Sequence, residues 1–247
     1  MKLHEIIRCA DAIAPFDSAA EWDNVGLLVG SPDREIDRAL LALDITAAVV
    51  EEAREKGAGL IISHHPVIFA PLRALRPDDA AVLLAKYEIA ALCLHTDLDR
   101  AEQGVNVQLA QALGLKNTTF YPEEFLLVGE PENACSAEEY AVLVKERLRA
   151  PSVRFTNGCV TRVAVSSGGG GEGVELSEKY GFDAFVTGEL KHHQFLYAVQ
   201  HGVAAFDAGH FSTEDVIIAP LKEWFSQQFP DAEFLISEAS VCPYQAV

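Results

Sequence analysis

Short apolar runs alternate along this chain with segments of helical period, and that alternation sets the fold class before any single residue is weighed. Leu3, Ile6, Ile7, Ala10 and Ile13 recur at helical spacing, which predicts an amphipathic first helix ending near Pro15. Glu-Trp-Asp-Asn-Val-Gly-Leu-Leu-Val-Gly (21–30) reads as a turn leading into a short strand. The run Ala39–Leu43 predicts a buried strand, Thr46 an N-cap, Ala47–Lys56 a helix closed by Gly57, and Leu60–Ser63 a second strand. That is a βαβ unit. A helix over Asp78–Lys86, a strand over Ile89–Leu94 and a helix over Val105–Leu113 stopped by Gly114 continue the pattern of a parallel α/β sheet.

Regularity lapses from Asn117 to Glu132, where Pro122, Gly129 and Pro131 punctuate the chain, and a lobe boundary is expected there, giving approximate lobes 1–122 and 123–247. Ser136 and Glu139 form a capping-box signature for a helix to about Arg149, before Pro151. A strand over Val160–Val165 runs into Gly168–Gly171, and a helix to Tyr180 follows. Strand Ala184–Thr187, helix Lys191–His201, strand Ala204–Asp207, helix Thr213–Phe229 and strand Glu233–Ile236 complete a second α/β half.

Composition acts mainly by exclusion. Against 37 Asp and Glu stand 19 Lys and Arg, a net charge of −18 with no basic cluster, so direct nucleic-acid binding is not expected. No apolar run reaches the length of a membrane span. Glu5, Arg8 and Asp11 break any signal-peptide core, and a cytoplasmic protein is expected. The five cysteines form no Cys-x-x-Cys pair and read as small core residues of a reducing compartment. Neither a P-loop, a dinucleotide fingerprint nor a Gly-x-Ser-x-Gly elbow is present.

Histidines and carboxylates gather instead at the C-terminal ends of predicted strands, the edge where open α/β sheets place their ligands. His64-His65 follow one strand, His95-Thr-Asp97-Leu-Asp99 a second, and His210 a third. His210 and Glu214 are spaced by four and form a chelating pair if a helix begins near Ser212. His64 and His65, adjacent on extended backbone, should point to opposite sides and so suit two ions better than one. Asp99 is the kind of carboxylate that bridges such ions. Imidazole and carboxylate without thiolate favour Zn, Mn, Fe or Co over Mg or Ca. Taken singly each group also reads as a hydrogen-bonded structural residue; their matching positions favour metal. Glu189 and His193, also spaced by four, flank another strand-to-helix junction and read equally well as a solvated helix start or as groups behind the metal ligands. Gly168–Gly171 reads as either an anion-cradling loop or a tight turn.

Asp-Asn-Val-Gly-Leu-Leu-Val-Gly (23–30), Ile-Ile-Ser-His-His-Pro (61–66), His-Thr-Asp-Leu-Asp (95–99) with Gly-Val-Asn (104–106), Thr-Gly-Glu (187–189) and Gly-His-Phe-Ser-Thr-Glu (209–214) together resemble the signature series of the Nif-three-like family, also known as GTP cyclohydrolase 1 type 2 homologs. The order is conserved across almost the whole chain, in the short form that lacks a central insertion. The resemblance implies one family domain of two interlinked α/β lobes with mixed sheets and a dinuclear metal site in the cleft between them. It implies two divalent transition-metal ions per chain, ligated by His64, His65, Asp99, His210 and Glu214, and a homohexamer built as a trimer of dimers. Position 97 departs from the family pattern, since relatives often have Asn where this chain has Asp97; an added carboxylate would disfavour a triphosphate. A metal-dependent hydrolase acting on a nucleotide-like or phosphorylated small molecule is the first expectation, with His95 and His193 as proton shuttles. A metal carrier, store or regulatory scaffold without turnover is the alternative.

Overall fold

The computed structural model describes residues 1–247. In chain order the elements are α1 (Leu3–Ile13), β1 (Gly26–Val29), β2 (Arg38–Ala42), α2 (Ala47–Glu55), β3 (Leu60–Ser63), α3 (Ala80–Tyr87), β4 (Ala90–Cys93), α4 (Thr96–Asp99) and α5 (Val105–Ala112). There follow β5 (Lys116–Tyr121), β6 (Leu126–Glu130), β7 (Cys135–Ser136), α6 (Ala137–Arg147), β8 (Arg154–Phe155), β9 (Cys159–Val160), β10 (Val163–Ser166) and α7 (Ser177–Tyr180). The last are β11 (Ala184–Thr187), α8 (His192–His201), β12 (Ala204–Asp207), α9 (His210–Glu214), α10 (Ile218–Gln228) and β13 (Glu233–Ile236). No helix is long and apolar enough to cross a membrane.

Two compact units emerge: Met1–Ala101 with Ile218–Val241, and Glu102–Ile217 with Cys242–Val247. In the first, the strand order is β1-β4-β3-β2-β13, parallel except for antiparallel β1. Alternate strand residues Leu40, Ala42, Ile61 and Ala91 face Val49, Val50 and Ala53 of α2 and Leu83 and Leu84 of α3. Strands β2, β3 and β4 are apolar at nearly every position because almost all their side chains are buried.

In the second unit the order is β5-β6-β10-β11-β12-β8, with a parallel β10-β11-β12 centre and antiparallel flanks. Val163, Val165, Ala184, Val186, Ala204 and Phe206 point to one face, against Leu109 and Ala110 of α5 and Tyr140 and Val144 of α6. Ala164, Phe185 and Ala205 point to the other, against Leu190 and Ala198. This period of two gives a sheet covered on both sides.

Three differences from the sequence reading have identifiable causes. The units divide after Ala101 rather than near 122, and the chain returns at Ile218 because β13 pairs in parallel with the open edge of β2. The stretch 117–132, expected to be irregular, is largely the β5–β6 pair, with Pro122 in the 3₁₀ turn between the strands and Gly129 inside β6. The helix expected over Thr213–Phe229 starts earlier, at His210, and breaks into α9, a 3₁₀ turn over Asp215–Ile217, and α10. Pro220 has no amide to offer the turn before it, which fits a break there.

Glu52 on α2 ties down the chain beyond β13. Its carboxylate accepts hydrogen bonds from the Glu238 amide at 2.9 Å, the Ala239 amide at 3.1 Å and the Ser237 hydroxyl, and pairs with Lys56 at 2.7 Å. Burial opposes its ionisation, but these donors outweigh burial and hold its pKa at about 2. A depressed carboxylate pKa stabilises the fold fully above its ordinary value of 4.5 and progressively less as pH falls toward about 2. Glu52→Gln should therefore cost about 1–3 kcal/mol at neutral pH and flatten the acid limb of a stability-versus-pH curve, read by thermal unfolding. An unchanged acid limb would show that Glu52 does not carry this dependence.

Candidate metal centre

In the first unit, three imidazoles converge where β3 and β4 end. His64 is fully buried, and its Nδ1–H donates to the Leu94 carbonyl at 2.9 Å. A carbonyl can only accept, so the proton sits on Nδ1 and Nε2 keeps its lone pair. His65 gives its Nδ1 hydrogen bond to Asp44 at 2.7 Å, and His95 gives its own to Asp23 at 2.9 Å. One ring nitrogen from each of the three lies within 4.8 Å of those of the other two.

The expectation that His64 and His65 point apart is not met: their ring centroids are 5.1 Å apart. β3 stops at Ser63, whose hydroxyl donates to the His65 carbonyl while the His65 amide bonds to Leu43, so the pair no longer follows the pleat of an extended strand.

Asp99 sits at the end of α4, a single helical turn that the sequence pattern did not predict. Its Oδ1 lies 3.8 Å from His64 Nε2. The turn is held by Asp23, a fully buried carboxylate that accepts from the Thr96 amide at 3.1 Å, from the Thr96 hydroxyl and from His95. Burial would raise its pKa, yet His95 and Thr96 outweigh burial and hold it well below the usual carboxylate range. Asp97 is also fully buried; its Oδ1 accepts the His95 amide and its Oδ2 has no hydrogen-bond partner. Burial raises its pKa to about 7 against amide hydrogen bonds from His95 and Leu98, so position 97 adds less than a full negative charge at neutral pH. Trp22 and Phe69, both largely exposed, stand edge-on to His95 at centroid distances of 6.3 and 6.5 Å.

In the second unit, His210 opens α9 and Glu214 closes it, with Nε2 and Oε2 3.0 Å apart. His210 Nδ1 donates to Glu189 at 2.9 Å. Glu189 thus serves His210, not His193, because it precedes α8 and shares no helical face with it. His193 lies exposed in the first turn of α8.

The glycine loop presses on the His210–Glu214 pair. A Cβ on Gly168, whose φ is +55°, would stand 1.9 Å from Glu214 Oε1 and 3.1 Å from His210 Nε2. The Ser167, Gly168 and Gly170 amides donate to Asn106, Thr213 and the Ser167 carbonyl respectively. Amides so engaged do not form an open anion cradle; the loop is a tight turn that leaves room for Glu214.

The ligand types in each unit suit a transition-metal ion. Four imidazoles have Nδ1 held by an oxygen, which orients Nε2 as a ligand in the way outer carboxylates and carbonyls support metal-bound histidine. Sequence reasoning missed Asp23 and Asp44 in this supporting role, since nothing in their local spacing marks a partner 72 or 21 residues away.

The family described as Duf34/NIF3 (NGG1p interacting factor 3) matches residues 1–243. A Staphylococcus aureus (strain COL) relative described as a GTP cyclohydrolase 1 type 2 homolog is 27% identical with full coverage of both chains, in an alignment of 367 positions against 247 residues here. That surplus length fits the short form. The crystal structure of a Staphylococcus aureus hypothetical protein superposes with a TM-score of 0.91 at 31% identity, covering 100% of this chain and 99% of that one. A Bacillus cereus protein related to NIF3 shares the fold, with a TM-score of 0.93 at 22% identity over 100% and 99% of the two chains.

The packing of the glycine loop gives a paired expectation. Gly168→Ala should lose at least about 2 kcal/mol through left-handed strain and collision with Glu214. Gly169→Ala, whose Cβ would meet nothing within 4 Å, should stay near wild type. Thermal unfolding of both variants checks this, and equal melting temperatures would refute it.

Proposed function

Taking as premise that the chain belongs to the Duf34/NIF3 family, we propose that it is a metal-dependent hydrolase acting on a nucleotide-like or phosphorylated small molecule. Its ligands in this reading are His64, His65, Asp99, His210 and Glu214, for two divalent transition-metal ions per chain. The observation that carries the reading is the oriented state of the imidazoles: His64, His65, His95 and His210 each have Nδ1 engaged by a carbonyl or carboxylate. Structural histidines need no such shared pattern at matching strand ends. Bound divalent ions would lower the pKa of a water molecule to near neutrality and polarise an electrophilic carbon or phosphorus.

The chain's own residues then divide the remaining work. Asp23 fixes the orientation of His95, which suits His95 to move a proton near the imidazole cluster. His193, exposed on α8, is the weaker shuttle in this reading and should tolerate replacement. The names of the relatives point to nucleotide chemistry, and the homohexameric ring and cytoplasmic setting stand with this proposal on the same family grounds.

Elemental analysis of protein purified without chelator or His-tag should find about two transition-metal ions per chain, and both Asp99→Ala and Glu214→Ala should lose them. Hydrolysis of nucleotides and phosphoesters should fall in step with metal content. Protein that carries no metal and cannot be loaded would overturn the proposal, and ions that exchange freely with no turnover would favour a carrier.

A further inference from the structure

A cavity of about 400 Å³ opens beside His210 in the second unit, with Arg154, Glu189, Lys191, Asp207 and Tyr244 among its walls. Nothing in the metal chemistry above requires it. Its charged groups differ in one respect that decides what it can hold.

The carboxylates already have internal partners. Asp207, 9% exposed, pairs with Arg154, accepts the Leu190 amide at 3.1 Å and accepts the Gly209 amide at 3.2 Å. Glu189, 64% exposed, accepts a hydrogen bond from His210 Nδ1 through one oxygen. The cations are positioned but not used up. Arg154 is held through Nη2 by Asp207 and the Leu190 carbonyl, and its Cζ lies 5.1 Å from the centre of the Phe195 ring. Its Nε and Nη1 make no hydrogen bond, and Lys191 forms no ion pair, so both retain donor capacity in the cavity wall. A guanidinium already fixed in place loses little side-chain entropy when it binds an oxyanion.

Tyr244 supplies a third donor through a close approach. Gly209 has a φ of +87°, and a Cβ there would stand 2.1 Å from the Tyr244 hydroxyl. Only glycine lets that hydroxyl lie against the backbone next to His210. A planar fork, a mobile ammonium and a phenol lining one cavity offer the kinds of donor that the oxygens of a tetrahedral anion accept.

We propose that this cavity is an anion subsite that binds a phosphate group, with Arg154, Lys191 and Tyr244 as its donors. The inference deepens the hydrolase reading, on which it rests only for calling the occupant part of a substrate. There it separates recognition of the phosphorylated end from the reacting centre at His210 and Glu214.

The test is calorimetric titration of inorganic phosphate into chelator-stripped protein, which keeps the result apart from any anion held by metal. Wild type should bind, Lys191→Gln and Arg154→Met should each weaken binding about tenfold or more, and Arg154→Lys should fall between. Arg154→Met can disturb the short β8–β12 pairing, so Lys191→Gln, at an exposed position, carries the test if that variant does not fold. Absence of phosphate binding without metal, or equal binding by wild type and Lys191→Gln, would overturn the subsite. Metal loss in Asp99→Ala bears only on the metal reading and leaves this result standing.

Discussion

The hydrogen bond at Nδ1 decides both which nitrogen of each candidate ligand histidine is available and where it points, and each unit meets that constraint by itself, the first for His64, His65 and His95 and the second for His210. Each accepting oxygen needs its own fixed position. The Leu94 carbonyl follows β4, Asp44 follows β2, Asp23 precedes β1, and Glu189 follows β11. In the first unit, parallel β2, β3 and β4 and antiparallel β1 bring three of these positions to one edge of a sheet without requiring them to be neighbours in sequence, while Glu189 belongs to the other sheet. The fold therefore supplies the supporting oxygens as well as the histidines.

Asp23 and Asp97 show how finely that support is tuned, because both carboxylates are buried within contact of His95 and their pKa values move in opposite directions. Asp23 receives hydrogen bonds from an imidazole, a hydroxyl and an amide, enough to offset the loss of water around a carboxylate. Asp97 receives amides alone, and burial prevails, raising it to about 7. The difference lies in partner chemistry together with the deeper burial of Asp97. A charge close to His95 is thus assigned to one carboxylate and reduced at the other.

Much of this architecture was legible from the sequence, for reasons that differ by element. Buried parallel strands such as Leu60–Ser63 and Ala184–Thr187 are apolar on both faces, and capped helices such as that after Ser136 announce their starts, so local pattern sufficed. The His210–Glu214 spacing was readable because one helical turn brings those side chains together. Other features depend on distant partners. Nothing near Glu233–Ile236 says that it will pair with β2, and nothing near Asp23 says that it will hold His95. The α4 turn was hidden because a four-residue helix has too few positions to show a period, and its stability comes from the Asp23 clamp. The opposed directions expected of His64 and His65 assumed that strand geometry persists beyond Ser63, where the sheet has ended.

A net charge of −18 argues against long polyanions, yet it does not govern what a small cavity selects. Exposed charges more than about 8 Å apart are largely screened at physiological ionic strength, so a ligand inside the cavity responds to the groups that line it. A nucleic-acid backbone would have to lie along the acidic surface and meet many carboxylates at once. A single phosphate would meet Arg154 and Lys191, with Asp207 engaged by Arg154 and backbone amides and Glu189 giving one oxygen to His210. The cavity lining sets two cations against two carboxylates, so a small anionic ligand is compatible there with an acidic chain, whereas a polymeric anion is disfavoured.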